Sequence, residues 1–175
     1  MFLPVRPGGH QTCWVTTRWT FQVDLDARAD ELITSRLVEY NKQQAEIVRD
    51  RFEPENLSPR PLAVYAYVDG RLVGGVKAST VDLWKWLTID ILWVDEAERG
   101  DGLGEALLSA AESEGRRRGC HWSKVNTWDF QAPGFYRRCG YVEYGREVDY
   151  PPGHTNFLLR KDLLAQTDNA TAASR

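Results

Sequence analysis

Six consecutive residues, Arg99-Gly100-Asp101-Gly102-Leu103-Gly104, carry a pattern that an ordinary turn does not need. They follow the apolar stretch Trp84 to Val94 and lead into a helically spaced segment that runs to Arg118 and stops at Gly119. A glycine-rich turn feeding a helix leaves several backbone N–H groups unpaired and aimed at one point, where the helix dipole is positive. An anion fits such a point, and a phosphate fits best. A nucleoside triphosphate loop would need Lys-Ser or Lys-Thr after the last glycine, but Glu105-Ala106 stands there. A dinucleotide fingerprint needs a glycine at its sixth position; counted from Gly102 that position is Leu107, and counted from Gly100 it is Glu105.

The surrounding chain must position this loop. The 175 residues suffice for one domain with a substantial core, expected over 18–164, with an irregular extension over 1–17 and a flexible tail over 165–175. The content of 42% hydrophobic and 27% charged residues is that of a soluble globular protein. A net charge of −3 gives no basic stripe for nucleic acid and suits a cationic small substrate. No apolar run of 18 residues offers a membrane span. Cys13, Cys120 and Cys139 are odd in number and widely spaced, as in a reduced, cytoplasmic protein. His10, His121 and His154 lack metal-ligand spacing, so no metal is expected.

Arg18 to Leu25 reads as a strand, and Asp26 or Asp30 can cap the helix that follows. Leu62 to Val68 and Arg71 to Thr80 form a hairpin across Asp69-Gly70, with a bulge expected at Gly74-Gly75. The strand Trp84 to Val94 extends this antiparallel meander. Strict alternation puts Lys85, Leu87, Ile89, Ile91 and Trp93 on the helix-packing face. It leaves Trp84, Trp86, Thr88, Asp90, Leu92 and Val94 on a mixed face suited to a cleft wall, unless a bulge changes the register. His121 to Trp128 reads as a strand parallel to it, since a helix crosses between. Ala132 to Cys139 is a short helix, and Tyr141–Tyr150 with Thr155–Arg160 makes a terminal hairpin.

Arg99 to Gly104 matches R/Q-x-x-G-x-G/A, the signature of the GNAT superfamily of acetyl-CoA-dependent N-acetyltransferases. About thirty residues on, Ala132-Pro133-Gly134-Phe135-Tyr136-Arg137-Arg138-Cys139-Gly140-Tyr141 resembles that family's A-x-x-F-Y-x-x-x-G-F/Y segment. One departure is Asp129, where many members carry Asn. The resemblance implies an α/β fold: a mixed, mostly antiparallel sheet of six or seven strands flanked by helices. It implies that residues 99–104, namely Arg99, Gly100, Asp101, Gly102, Leu103 and Gly104, hold the pyrophosphate of acetyl-CoA. It implies also that Leu92, Trp93 and Val94 pair with the pantetheine arm, across a gap opened by splaying parallel strands. Tyr136 would protonate the departing thiolate, a phenol of pKa ~10 donating to a thiolate of basicity ~8.5.

The proton acceptor for the amine is then a carboxylate. Asp90 is the first candidate, ahead of Glu39 and Asp129, although Asp90 serves equally well as a substrate anchor or an ion-pair partner. Trp84, Trp86 and Tyr40 could form an aromatic wall for a cationic amine, or simply fill the core. Cys139 ends a helix beside Gly140 as a small packed residue, so direct attack without an acetyl-enzyme is expected. The acceptor expected is a small-molecule amine, such as an amino sugar, an aminoglycoside-like antibiotic or a polyamine, taken by a monomer or homodimer. The alternatives are a protein or peptide amine, or a sensor that binds acyl-CoA without catalysis.

Overall fold

The computed structural model describes residues 3–5, 12–15 and 18–165; the tail expected at the C-terminus lies almost wholly outside them. The chain divides into two compact units, Met1–Asp50 and Arg51–Arg175, and the break falls inside the segment expected to be one domain. The first unit holds a three-stranded antiparallel sheet, β1 (Leu3–Val5), β2 (Thr12–Val15) and β3 (Thr20–Val23), in that order. Two of these strands lie within the segment expected to be irregular, and β3 pairs with β2 rather than with the main sheet. Helix α1 (Ala27–Gln44) follows, capped by Asp26, whose carboxylate accepts from the amides of Arg28 and Ala29 at 2.9 and 3.2 Å. Helix α2 (Glu46–Arg51) ends at the break.

The second unit is built on a six-stranded sheet. Its strands are β4 (Arg60–Val68), β5 (Arg71–Val81), β6 (Trp86–Val94), β7 (Trp122–Trp128), β8 (Val142–Val148) and β9 (Thr155–Asp162). They run in the order β4-β5-β6-β7-β9-β8, and only the β6–β7 pair is parallel. Helix α3 (Leu103–Arg117) crosses between those two, and α4 (Pro133–Arg138) joins β7 to β8. The hairpin turn stands at Asp69-Gly70, both with positive φ (49° and 78°). The bulge between β4 and β5 leaves Val73 unpaired, one residue before the expected Gly74-Gly75. Leu107, Leu108 and Ala111 of α3 and Tyr136 of α4 share one core with Val76, Ala78, Leu87, Ile89, Val125 and Leu159 of the sheet. Among the described residues no helix is long and apolar enough to cross a membrane.

The central strand departs from strict alternation. Lys77 pairs with Ile91 and Ala78 with Ile89, so Asp90 stands unpaired as a bulge. One extra residue exchanges the faces beyond it. Leu87 and Ile89 face the core as expected, but Leu92 and Val94 then pack against it. Ile91 and Trp93, expected on the helix side, point outward and are 52% and 47% exposed. The strand also begins later than expected. Asp82–Trp84 is a short 3-10 turn, closed by Lys85 in the left-handed region at φ 61°.

Candidate active site

The β6–β7 ladder starts at Trp86–Trp122 and ends at Ile89–Val125. Past the Asp90 bulge the two strands have no ladder between them. Alternate N–H and C=O groups of β6 from Asp90 to Val94 therefore face the gap without a strand partner. A cavity of about 1310 Å³ occupies this place, walled by β6, the loop before α3, β7 and α4. Leu92, Trp93 and Val94 line it, as do Arg99, Gly100, Gly102, Leu103 and Gly104. Asp101 is exposed and is not part of the lining.

The loop geometry follows from its residues. Gly100 and Gly102 have φ of 99° and 84°, the region that side-chain-bearing residues avoid. A Cβ at either would meet nothing within 4 Å, so the backbone is bare toward open space. Gly102 caps α3 without a side chain, and the first intrahelical bond there is Ala106 N–H to Gly102 C=O at 3.0 Å. The amides of Leu103, Gly104 and Glu105 stay available for an anion. Gly104 differs: its φ is not positive, and a Cβ there would make only ordinary contact with the Phe135 ring at 3.4 Å, where α4 rests against the start of α3. Arg99 is fixed by its Nε, which donates to the Val94 carbonyl at 3.1 Å. Arg71 braces the loop from behind through Asp95 and Glu98, at 3.0 and 3.2 Å.

Two further expected residues meet in the same cavity. Tyr136 is 7% exposed and lies edge-on to Phe135 and Tyr141, with ring centroids at 5.0 and 5.7 Å. Burial, with a smaller contribution from Cys139, pushes its phenol up to about 12. Among the described residues no hydrogen bond engages its hydroxyl. Asp90 lines the cavity from the bulge. Desolvation holds its carboxyl above the usual range, against the pull of Lys77, the Ser79 hydroxyl and Lys124. Cys139 lines the cavity too, but burial first, and then the charge of Glu105, push its thiol up and away from the nucleophilic thiolate.

The remaining candidates lie elsewhere. Trp84 has the Arg51 guanidinium over its ring at 5.3 Å, and Trp86 stacks on Trp122 at 5.8 Å; neither lines the cavity. Asp129 is also absent from the lining. Its carboxylate accepts from the amides of Phe130 and Thr155 at 2.8 and 3.1 Å, and bonds His154 Nδ1 at 3.0 Å. Desolvation opposes them, but these partners hold its carboxyl below the usual range. It binds the β7–α4 connection to the β8–β9 turn. Glu39 and Tyr40 belong to α1 in the first unit, where Glu39 accepts from Gln43 at 3.0 Å. Asn126, Phe130, Glu147 and Asn156 line the cavity without any sequence signal having marked them, whereas Trp128 ends an alternating strand and Arg138 lies within the Ala132–Tyr141 segment.

A splayed parallel pair, a bare helix N-terminus and a buried tyrosine thus meet at one cavity. The model of the Acetyltransferase (GNAT) family matches residues 26–141, and the chain belongs to this family. It is 44% identical over 133 residues to a blasticidin-S acetyltransferase of Streptomyces morookaense, covering 73% of this chain and 96% of that one. An acetyltransferase of Agrobacterium fabrum is 32% identical over 136 residues, covering 78% of this chain and 92% of its own length. The crystal structure of an acetyltransferase from Bacillus cereus superposes with a TM-score of 0.62 at 30% identity, covering 79% of this chain and 94% of the other. The protein is an acetyl-CoA-dependent acetyltransferase.

Proposed function

We propose that the protein acetylates a primary amine on a small cationic molecule, with an antibiotic of the blasticidin S kind as the first acceptor to be tried. The observation that carries this reading is the meeting of Asp90, Tyr136 and the unpaired edge of β6 in one cavity. The likeness to a blasticidin-S acetyltransferase over most of both chains adds the acceptor class.

The residues present fit acetyl-CoA. The free amides at the start of α3, with Gly100 and Gly102 bare beside them, suit the pyrophosphate, and Arg99 adds a cation. The open edge of β6 from Leu92 to Val94 suits the amide-bearing pantetheine arm. The bound donor supplies an acyl carbon activated as a thioester. Asp90 accepts a proton from the incoming ammonium, directly or through one water, and frees the nitrogen lone pair to form the C–N bond. Backbone N–H groups at the open edge donate to the acyl oxygen as negative charge gathers there. Tyr136 donates its phenolic proton to sulfur as the C–S bond breaks, and the second proton that the nitrogen sheds on becoming an amide is lost to water, from which the phenol is reprotonated. The raised thiol of Cys139 supports direct transfer without an acetyl-cysteine.

The purified protein, given acetyl-CoA and blasticidin S, is expected to release free thiol in step with acetylated product, faster than with amino sugars, polyamines or peptides. A peptide as best acceptor would replace this reading with a protein acetyltransferase, and CoA binding without turnover on any amine would replace it with a sensor. Asp90 must be ionised to accept a proton. Since its carboxyl lies above the usual range, kcat/KM is expected to fall as pH drops through that raised value and to level off above it. Asp90→Asn should remove this acidic limb and lower kcat/KM about 100-fold. Survival of the limb in the pH profile would assign the proton to another group.

A further inference from the structure

The part of the cavity across β7 from the phosphate loop is built by residues that no motif marks. The rings of Trp128 and Phe130 stack there at 5.8 Å and 6°. The Trp128 Nε1–H donates to the Tyr150 carbonyl at 3.0 Å, and His154 meets Phe130 edge-on at 4.8 Å. Asp129 ties the same two connections together from outside the cavity. The aromatic wall is thus held in place before any ligand arrives. Across β9 from Trp128, lining the same cavity, stands Glu147, whose Oε2 accepts from Asn156 Nδ2 at 2.7 Å. Asn156 is 4% exposed, so this amide sets the position of the carboxylate. Among the described residues neither Glu147 nor Asp90 takes part in an ion pair.

The sheet order β6-β7-β9-β8 places three strand steps between Asp90 and Glu147. At about 4.8 Å per step their backbones stand roughly 14 Å apart, before the splay of β6 from β7 is added. Side chains stand off a sheet rather than reaching along it, so this spacing suits two cationic groups, one at each carboxylate. We propose that the cavity selects an elongated dibasic acceptor. Its primary amine lies at Asp90, and a planar amidinium or guanidinium lies against the Trp128 wall and pairs with Glu147. A planar cation is favoured over a second ammonium because it can stack on an aromatic face and meet a carboxylate with two parallel N–H bonds. This inference rests on the acetyltransferase reading of the same cavity.

The test is acceptor selectivity, measured by thiol release with the full chain. The probes are 4-guanidinobutylamine and its longer homologues, each against the n-alkylamine of equal length. The wild type is expected to prefer the guanidinoalkylamine by at least about tenfold in kcat/KM, as a charged hydrogen-bonded pair provides. In Glu147→Gln that ratio should fall to near unity, with the urea midpoint unchanged. A ratio that survives in Glu147→Gln, or a wild type with no preference, overturns the inference while leaving acetyl transfer intact. Thiol release from neither class of amine overturns the acceptor reading and this inference with it.

Discussion

Tyr136→Phe is expected to lower kcat by about two to four orders of magnitude, the range typical of losing a positioned general acid. KM for acetyl-CoA should change little, because the donor's phosphate and strand contacts lie on other residues. The substitution is a clean probe. Phenylalanine keeps the edge-on contacts with Phe135 and Tyr141 at 5.0 and 5.7 Å. The hydroxyl makes no hydrogen bond within the described residues, so folding loses no partner with it. The phenol, raised to about 12 by desolvation, stays protonated through the whole working pH range. The pH profile of the wild type should therefore carry no basic limb from Tyr136. Steady-state thiol release at saturating acetyl-CoA measures the effect, and a kcat within threefold of wild type would move the proton donor elsewhere.

Lys161→Met should cost about 3–5 kcal/mol of stability, a large share of the 5–15 kcal/mol typical of a domain. Lys161 Nζ lies 2.7 Å from Glu112 Oε2, with the two side chains 8% and 2% exposed. Glu112 Oε1 is buried without a hydrogen-bond partner, so the ammonium is the main compensation for the charge. Removing it leaves a buried carboxylate with no cation to balance it. Adding Glu112→Leu to Lys161→Met should recover most of the loss, since a well-packed apolar pair can replace a buried ion pair at little cost. Urea denaturation of the single and double variants decides the matter. A single-variant loss below about 1 kcal/mol, or no recovery in the double, would show that water reaches the pair.

Local signals were legible wherever a residue's own backbone preference decides the structure. Asp69-Gly70 marked a hairpin, Asp26 or Asp30 a helix start, which the structure places at Asp26, and Gly119 a helix end, because each position favours few residue types. The glycine-rich turn before α3 was legible for the same reason, with Gly100 and Gly102 in the left-handed region. Gly104 belonged to the pattern, but its packing against the Phe135 ring, a contact between segments about thirty residues apart, was not legible. The Asp90 bulge had no such signal. Ile91-Leu92-Trp93-Val94 is apolar at every position, so either register would bury something hydrophobic. What chose between them was the pairing with β5, through Lys77 and Ala78. The expected aromatic wall shows the same limit: Trp84 and Trp86 shared a strand face on paper, but a 3-10 turn and Lys85 separate them.

By itself the sequence determined the order of strands and helices from Leu62 onward, the glycine-rich turn into α3 and the pairing of Phe135 with Tyr136 at the head of a short helix. These depend on residues close together in the chain, where glycine, aspartate and apolar spacing restrict the backbone directly. Only the tertiary structure decided that β6 and β7 part after Ile89 and Val125, and that Asp90 and Tyr136 share the resulting cavity. It alone placed Asn156 next to Trp128 and Glu147 across β9 from it, at the same cavity. Those arrangements come from strand pairings over long separations, and their energies belong to partners that no local stretch contains.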